Sequence, residues 1–281
     1  MSLPKSWKAE AFNPVPESEN RIHSDEIARA HGFRGALVPG VIVSAYLLHP
    51  AAEAWGCDWL DRGHARVVVR SPVYDSEVFR VEVDAATDNS YEAVLVDERG
   101  TRCATVQASL PERAPEPPSR RHDALVSQDA ERPAASRAVM ERLLETGLHA
   151  MPARWGEGAE MVRYLRDPSA VAPIFRDEGF ANPAFVLGLS NWVLSRNLKM
   201  SAWLHLETDS QHHRAIAPGT DLVAEAAISD LFEKRGHEFV DVEVGVFQRS
   251  DDAAVASVRL RAIYQLRAVS QRSRSNVQRE G

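Results

Sequence analysis

Residues 36–54, ALVPGVIVSAYLLHPAAEA, constrain the fold of this chain more than any other stretch. They read as a helix, Ala36–Ala54, with Pro39 near its first turn, where the missing N–H costs nothing. Val41, Ile42, Val43, Ala45, Tyr46, Leu47 and Leu48 leave no polar stripe, so the helix is apolar on nearly every side. A helix of that kind is either buried or membrane-spanning. The apolar run is shorter than the ~20 residues a span needs, and His49-Pro50 interrupts it. The segment therefore predicts a core helix wrapped by a sheet.

What precedes it is polar. Ser18-Glu19-Asn20-Arg21-Ile22-His23 reads as a loop carrying a histidine, and Ser24, Asp25 and Glu26 open a short helix, Ile27–His31. Ser24 or Asp25 suits the cap, the acids suit the positive end of the dipole, and Gly32 suits a left-handed stop. After the apolar helix come strand signals at Ala65–Arg70, Val78–Ala85, Tyr91–Val96 and Thr101–Leu110, with a hairpin turn at Asp97–Gly100. Residues 1–17 read as irregular because of Pro4, Pro14 and Pro16.

The plan then recurs. Pro111–Pro118, PERAPEPP, reads as a linker. Beyond it, Ala135–Leu148 reads as a decorating helix, and Asn182-Pro183 opens a second apolar helix, Ala184–Leu198. Strands follow at Asp221–Ile228, Glu238–Phe247 and Ala253–Leu266, with Gly236–Glu238 as a turn entering one of them. Pro39 to Pro72 and Pro183 to Pro218 are near-equal separations, which points to a duplicated unit. The expected organisation is a first unit over 1–113, a linker over 114–135, a second unit over 136–270 and a tail over 271–281. The class is α+β, and pairing the two units edge to edge would satisfy the free backbone groups of a sheet edge.

Charge and cysteine content narrow the function classes. A formal net charge of −7 argues against a protein that binds nucleic acid through a basic face. Cys57 and Cys103 form no C-x-x-C pair, and His212-His213 lack partners at metal-ligand spacing, so two buried thiols and no metal are expected. No apolar signal segment opens the sequence and no run reaches membrane length, so the expectation is a cytoplasmic protein without membrane or nucleic-acid partners. There is no nucleophile elbow, phosphate loop or dinucleotide fingerprint, and no cofactor is called for.

The run Asn20, His23, Asp25, Ala28, Gly32-Phe33, Leu37-Val38, Gly40 resembles the signature of MaoC-like enoyl-CoA hydratases and dehydratases, which have the hotdog fold. The resemblance implies a double hotdog, two sheets each wrapping a long apolar helix in one chain, and leaves room for a homodimer of such pseudo-dimeric chains. It implies an acyl-CoA or acyl-carrier thioester as substrate. In the family an Asp and a His hold a water that adds across the enoyl double bond, and the helix-start glycine binds the thioester oxygen. Carried across, His23 takes the histidine, Asn20 the asparagine and Gly40 the glycine. Ser18 stands at the aspartate, Arg21 at a proline, and Pro39 at the histidine before the glycine.

Glu19, one position from Ser18, carries the carboxylate that Ser18 lacks, so Glu19 and His23 form the expected acid/base pair. Pro39 and Gly40 would border the substrate. The run Trp203–Thr208 resembles an element of double-hotdog acyl-CoA proteins, including thioesterases, and assigns His205 a supporting role beside Ser18 and Asn20. Trp55, Trp59, Trp192 and Trp203 either shape an acyl tunnel or fill the core. Three functions stay open: a hydratase or dehydratase, an acyl-CoA thioesterase, and a catalytically silent acyl-thioester binder.

Overall fold

The computed structural model describes residues 2–127, 129, 131–156 and 163–267; the expected tail over 271–281 lies outside the described residues. In chain order the elements are β1 (Trp7–Glu10), α1 (Asp25–Ala30), α2 (Gly40–Arg62), β2 (His64–Val69), β3 (Val78–Ala86), β4 (Ser90–Asp97) and β5 (Arg102–Ser109). There follow α3 (Arg137–Thr146), β6 (Met151–Arg154), α4 (Pro173–Arg176), α5 (Pro183–Asn197), β7 (Leu204–His212), β8 (Asp221–Lys234), β9 (His237–Gln248) and β10 (Ala254–Gln265).

The strands form one ten-stranded sheet in the order β1-β3-β4-β5-β2-β7-β10-β9-β8-β6. Read outward from its centre, each half repeats the same plan. In each, the strand that follows the apolar helix lies at the middle of the sheet, and the short strand that begins the unit lies at the edge. β2 and β7 join the halves antiparallel, from His64 opposite Gln211 to Val68 opposite Glu207. Each of these strands would otherwise present a row of unpaired backbone groups. The two sheets are thus continuous, and α2 and α5 pack against each other within a single hydrophobic core.

Both apolar helices are present, and α2 differs from its predicted bounds at each end. Residues 36–39 are extended: Leu37 bridges Tyr74, and the Val38 N–H donates to the Val73 carbonyl at 2.8 Å. Pro39 itself keeps an extended ψ of 139°, so it is the N-cap rather than a first-turn residue. At the other end the helix runs on to Arg62 across a break at Gly56 (φ 52°, ψ −130°), a conformation available to glycine. Pro50 is tolerated within the helix because the carbonyl it deprives, that of Tyr46, accepts instead from the Trp7 indole N–H at 3.2 Å.

That indole also corrects the reading of residues 1–17 as irregular. Trp7–Glu10 pairs with β3, and Trp7 packs edge-on against Phe79 and lies 4.1 Å from the His49 ring. Its prolines flank the strand instead of interrupting it. Cys57, expected to be buried, is exposed one residue after the helix break, whereas Cys103 is buried.

The connection between the units is held, not loose. Glu225 on β8 is fully buried, and its carboxylate accepts from the Arg121 N–H at 2.7 Å, the Asp123 N–H at 3.1 Å and Arg120 Nε at 3.3 Å. Farther along, the Ala135 N–H donates to the Lys199 carbonyl and the Lys199 N–H to the Pro133 carbonyl, which brings Arg132 back to the seam. Among the described residues no helix is long and apolar enough to cross a membrane.

Candidate active site

Two adjoining cavities lie where the loop before α2 meets α5 and the start of β7. One is about 490 Å³ and reaches Glu19, Arg132 and Trp192. The other is about 140 Å³ and reaches Gly40 and His205. Asn20, His23, Pro39, Asn191 and Trp203 border both, so the two units together build the junction.

His23 is anchored from its own unit. A short 3-10 turn, Arg21–His23, capped by Asn20, turns the ring inward, where it is 9% exposed. Nδ1 lies 2.7 Å from the Leu37 carbonyl oxygen; a carbonyl only accepts, so Nδ1 carries the hydrogen. Nε2 is then the lone-pair nitrogen, and Asn20 Nδ2 approaches it at a long 3.3 Å. Burial pushes His23 down to about 4, with the Leu37 hydrogen bond opposing it in part, so the ring is neutral at ordinary pH.

Asn20 fixes this ring to the other unit. Its Nδ2 donates to the Trp203 carbonyl at 3.1 Å, and its Oδ1 accepts from the Trp203 N–H at 3.3 Å. Ser18 lines the larger cavity, with its hydroxyl donating to the Asn20 carbonyl at 3.2 Å.

Glu19 and His23 border the same cavity, but no hydrogen bond joins them among the described residues. Both Glu19 carboxylate oxygens instead accept from Arg132, at 2.8 and 2.9 Å, and the side chain is 68% exposed. The Arg132 hydrogen bonds hold the Glu19 carboxyl below its ordinary range. The expected acid/base pair is therefore not assembled here: an arginine from the connection between units, which carries no signal in the sequence, takes the carboxylate.

Gly40 opens α2 beside β7. A Cβ there would fall 2.9 Å from both the Cβ and the carbonyl oxygen of His205, so only glycine allows the helix to start this close to the strand. No side chain caps the helix. The Ile42 and Val43 N–H groups donate to the Pro39 carbonyl at 2.9 and 3.1 Å, whereas the N–H of the first helical residue has no intrahelical acceptor, and Gly40 stands at the wall of the smaller cavity.

His205 is 7% exposed and wholly engaged: Nδ1 lies 2.9 Å from Asn191 Oδ1, and Nε2 lies 2.5 Å from Thr208 Oγ1. Burial pushes it down to about 3. Asn191 and Thr208 were not among the residues expected at the site. Asn191 was detectable as a polar interruption, SNW, within an otherwise apolar helix. The tryptophans divide between roles: Trp192 and Trp203 line the larger cavity, while Trp55 and Trp59 pack on each other in the core at 5.7 Å. The His212 ring packs on Trp59, and His213 Nε2 lies 3.1 Å from the Ser257 hydroxyl.

No protein-family model and no curated protein matches this sequence. Solved structures do match. A double hotdog protein of Mycobacterium tuberculosis, described as a conserved hypothetical protein essential for bacterial survival during infection, aligns at a TM-score of 0.57 with 14% identity, over 94% of this chain and 96% of that one. A protein of Chloroflexus aurantiacus described as a MaoC domain dehydratase aligns at 0.54 with 10% identity, over 93% and 96%. A tesB protein of Mycobacterium avium subspecies paratuberculosis aligns at 0.50 with 10% identity, over 94% of each. At these identities the likeness carries the architecture and not the activity. With its duplicated strand order and two buried helices, the chain has the α+β double hotdog fold.

Proposed function

We propose that this chain is a hydratase or dehydratase of enoyl and 3-hydroxyacyl thioesters in which His23 is the single proton-transfer group. One observation carries the reading: a buried, neutral His23 with Nδ1–H fixed on Leu37 and its Nε2 lone pair at a cavity shared with Gly40. Solved structures of the same fold include a protein described as a MaoC domain dehydratase, which is consistent with it.

In the dehydration direction, a 3-hydroxyacyl thioester enters from the larger cavity with its carbonyl oxygen toward the Gly40 N–H. His23 Nε2, released from its long contact with Asn20, takes a proton from C2. The electron pair moves onto the thioester oxygen, where the donors and partial positive charge of the α2 start oppose the developing negative charge. The carbonyl re-forms as C2=C3 forms and the C3–O bond breaks. The proton on Nε2 leaves with the hydroxyl as water, so His23 returns to its neutral form. The Leu37 carbonyl stabilises the transient imidazolium through Nδ1–H. Hydration is the same sequence reversed. The acyl group would be carried by CoA or a carrier protein.

Glu19 takes no proton in this scheme. Pairing it with His23 would require the Arg132 ion pair to open, which makes it a residue of the cavity rim. That no carboxylate is hydrogen-bonded to His23 among the described residues, with Ser18 at the family's aspartate position, favours the second reading, a silent acyl-thioester binder.

Hydration of crotonyl-CoA, followed by loss of enoyl absorbance, separates the readings. Turnover that falls at least about 100-fold in His23→Ala supports the proposal. Unchanged turnover in that variant removes His23. Thiol release detected with a chromogenic disulfide, without hydration, would assign a thioesterase. Neither signal, with acyl-CoA still bound, leaves the silent binder.

A further inference from the structure

We infer that Asn191, on the helix of the second unit, donates a hydrogen bond to oxygen at C3 of the bound acyl group, and so selects thioesters oxygenated at that carbon. This rests on the hydratase or dehydratase reading above and adds a residue to it that the sequence signature does not contain.

The Asn191 amide is placed with its oxygen toward His205, and this sets the direction of a chain of hydrogen bonds. Thr208 Oγ1 lies 2.5 Å from His205 Nε2, and Asn191 Oδ1 lies 2.9 Å from His205 Nδ1. An amide oxygen only accepts, so His205 Nδ1 carries the hydrogen and donates it. Nε2 of the neutral ring must then accept, and the Thr208 hydroxyl donates to it. The chain runs Thr208 to His205 to Asn191, and each link has one direction. Both ring nitrogens of His205 are spent on it, which makes His205 and Thr208 positioning residues. The sequence assigned His205 a supporting role without this purpose.

With Oδ1 held by His205, the Asn191 NH2 group faces away from that chain. It makes no hydrogen bond to any described residue, although Asn191 is only 9% exposed. That nitrogen is not among the fully buried atoms left without a partner, so it is open to the space beside it. Asn191 borders both cavities at their junction, together with His23, so the free donor is offered to whatever occupies them. Gly40 borders only the smaller cavity. A thioester with its carbonyl at Gly40 therefore presents C3 and its oxygen nearer the junction, within the region that His23 and Asn191 share. The oxygen that exchanges a proton with His23 is then the one that accepts from Asn191.

The test compares 3-hydroxybutyryl-CoA with butyryl-CoA, which lacks only the C3 oxygen, by calorimetry in the His23→Ala background so that no turnover intervenes. Binding about tenfold tighter for the hydroxy ester is expected, as is collapse of that ratio toward one in the added Asn191→Leu variant with butyryl-CoA affinity little changed. Thr208→Val, which withdraws the hydroxyl that holds His205, should lower the ratio in the same sense. It decides the matter if Asn191→Leu does not fold. Equal affinities in the parent, or a ratio preserved in these variants, would overturn the role of Asn191 while leaving an acyl-thioester protein. Failure of both esters to bind would sink the functional reading itself.

Discussion

The two helix starts of this molecule occupy matching places and do opposite things. Two residues before Gly40, the Val38 N–H donates to Val73; two residues before Pro183, the Ala181 N–H donates to Ile216. The next residue is the N-cap in both units, Pro39 in the first and Asn182 in the second. Asn182 is buried and accepts from the Phe185 N–H at 3.1 Å, and Pro183 at the first helical position has no N–H. That helix keeps little for a ligand. Pro39 has no side chain that can cap, and Gly40 brings an N–H to a cavity wall. A duplicated fold can thus hold one open helix start and one sealed one, and two adjacent residues are enough to make the difference.

Acid is expected to break this comparison most strongly, because it acts on the open side. His23 and His49 lie in the first unit, and His205 and His212 lie on the seam strand β7. Burial pushes three of them down to about 4 and His205 to about 3. Their ordinary value is about 6.5, so on acidification the unfolded chain takes up protons before the folded one does. The stability they contribute is complete above about pH 6.5 and is lost as pH falls toward 4, at about 1.4 kcal/mol per pH unit for each histidine. Thermal melts across that range should show a steep fall in Tm; a flat profile would mean that these rings are not buried neutral.

A smaller effect tests the sealed start. Asn182→Ala should cost about 1 kcal/mol in denaturant unfolding and leave crotonyl-CoA turnover unchanged, because Asn182 borders neither cavity of the candidate site. Loss of turnover would show that the second unit's helix start belongs to the chemistry after all.

The smallest effect concerns the rim of the open side. Glu19→Gln keeps the size of the side chain and weakens its pairing with Arg132, so kcat should change less than about twofold. A drop comparable with that of His23→Ala would restore Glu19 as the proton-transfer partner suggested by the sequence.

Local physics made much of this protein legible in its sequence. Gly32, placed as a left-handed stop, has φ 86°, and Gly100 closes the predicted hairpin at φ 82°. Asn182 caps the helix it was expected to cap, and strands with period-2 patterns lie within a residue or two of their predicted ends, apart from a longer β8. Two helices without a polar stripe could only be buried, and a repeat of helix and sheet with free edges could only pair. Those conclusions need nothing beyond neighbours in the chain.

The site depended on residues distant in the chain. Trp7 forms a strand because β3 offers an edge and an indole acceptor waits at Tyr46. Glu19 is claimed by Arg132, Asn20 is clamped by Trp203, and Asn191 is oriented by His205. The partnerships of Glu19 and Asn20 cross to the connection and to the other unit, whereas those of Trp7 and Asn191 stay within one unit. Residue identity fixes how many hydrogen bonds and charges a side chain can offer; only the packing of β2 on β7 determines which partner comes within reach.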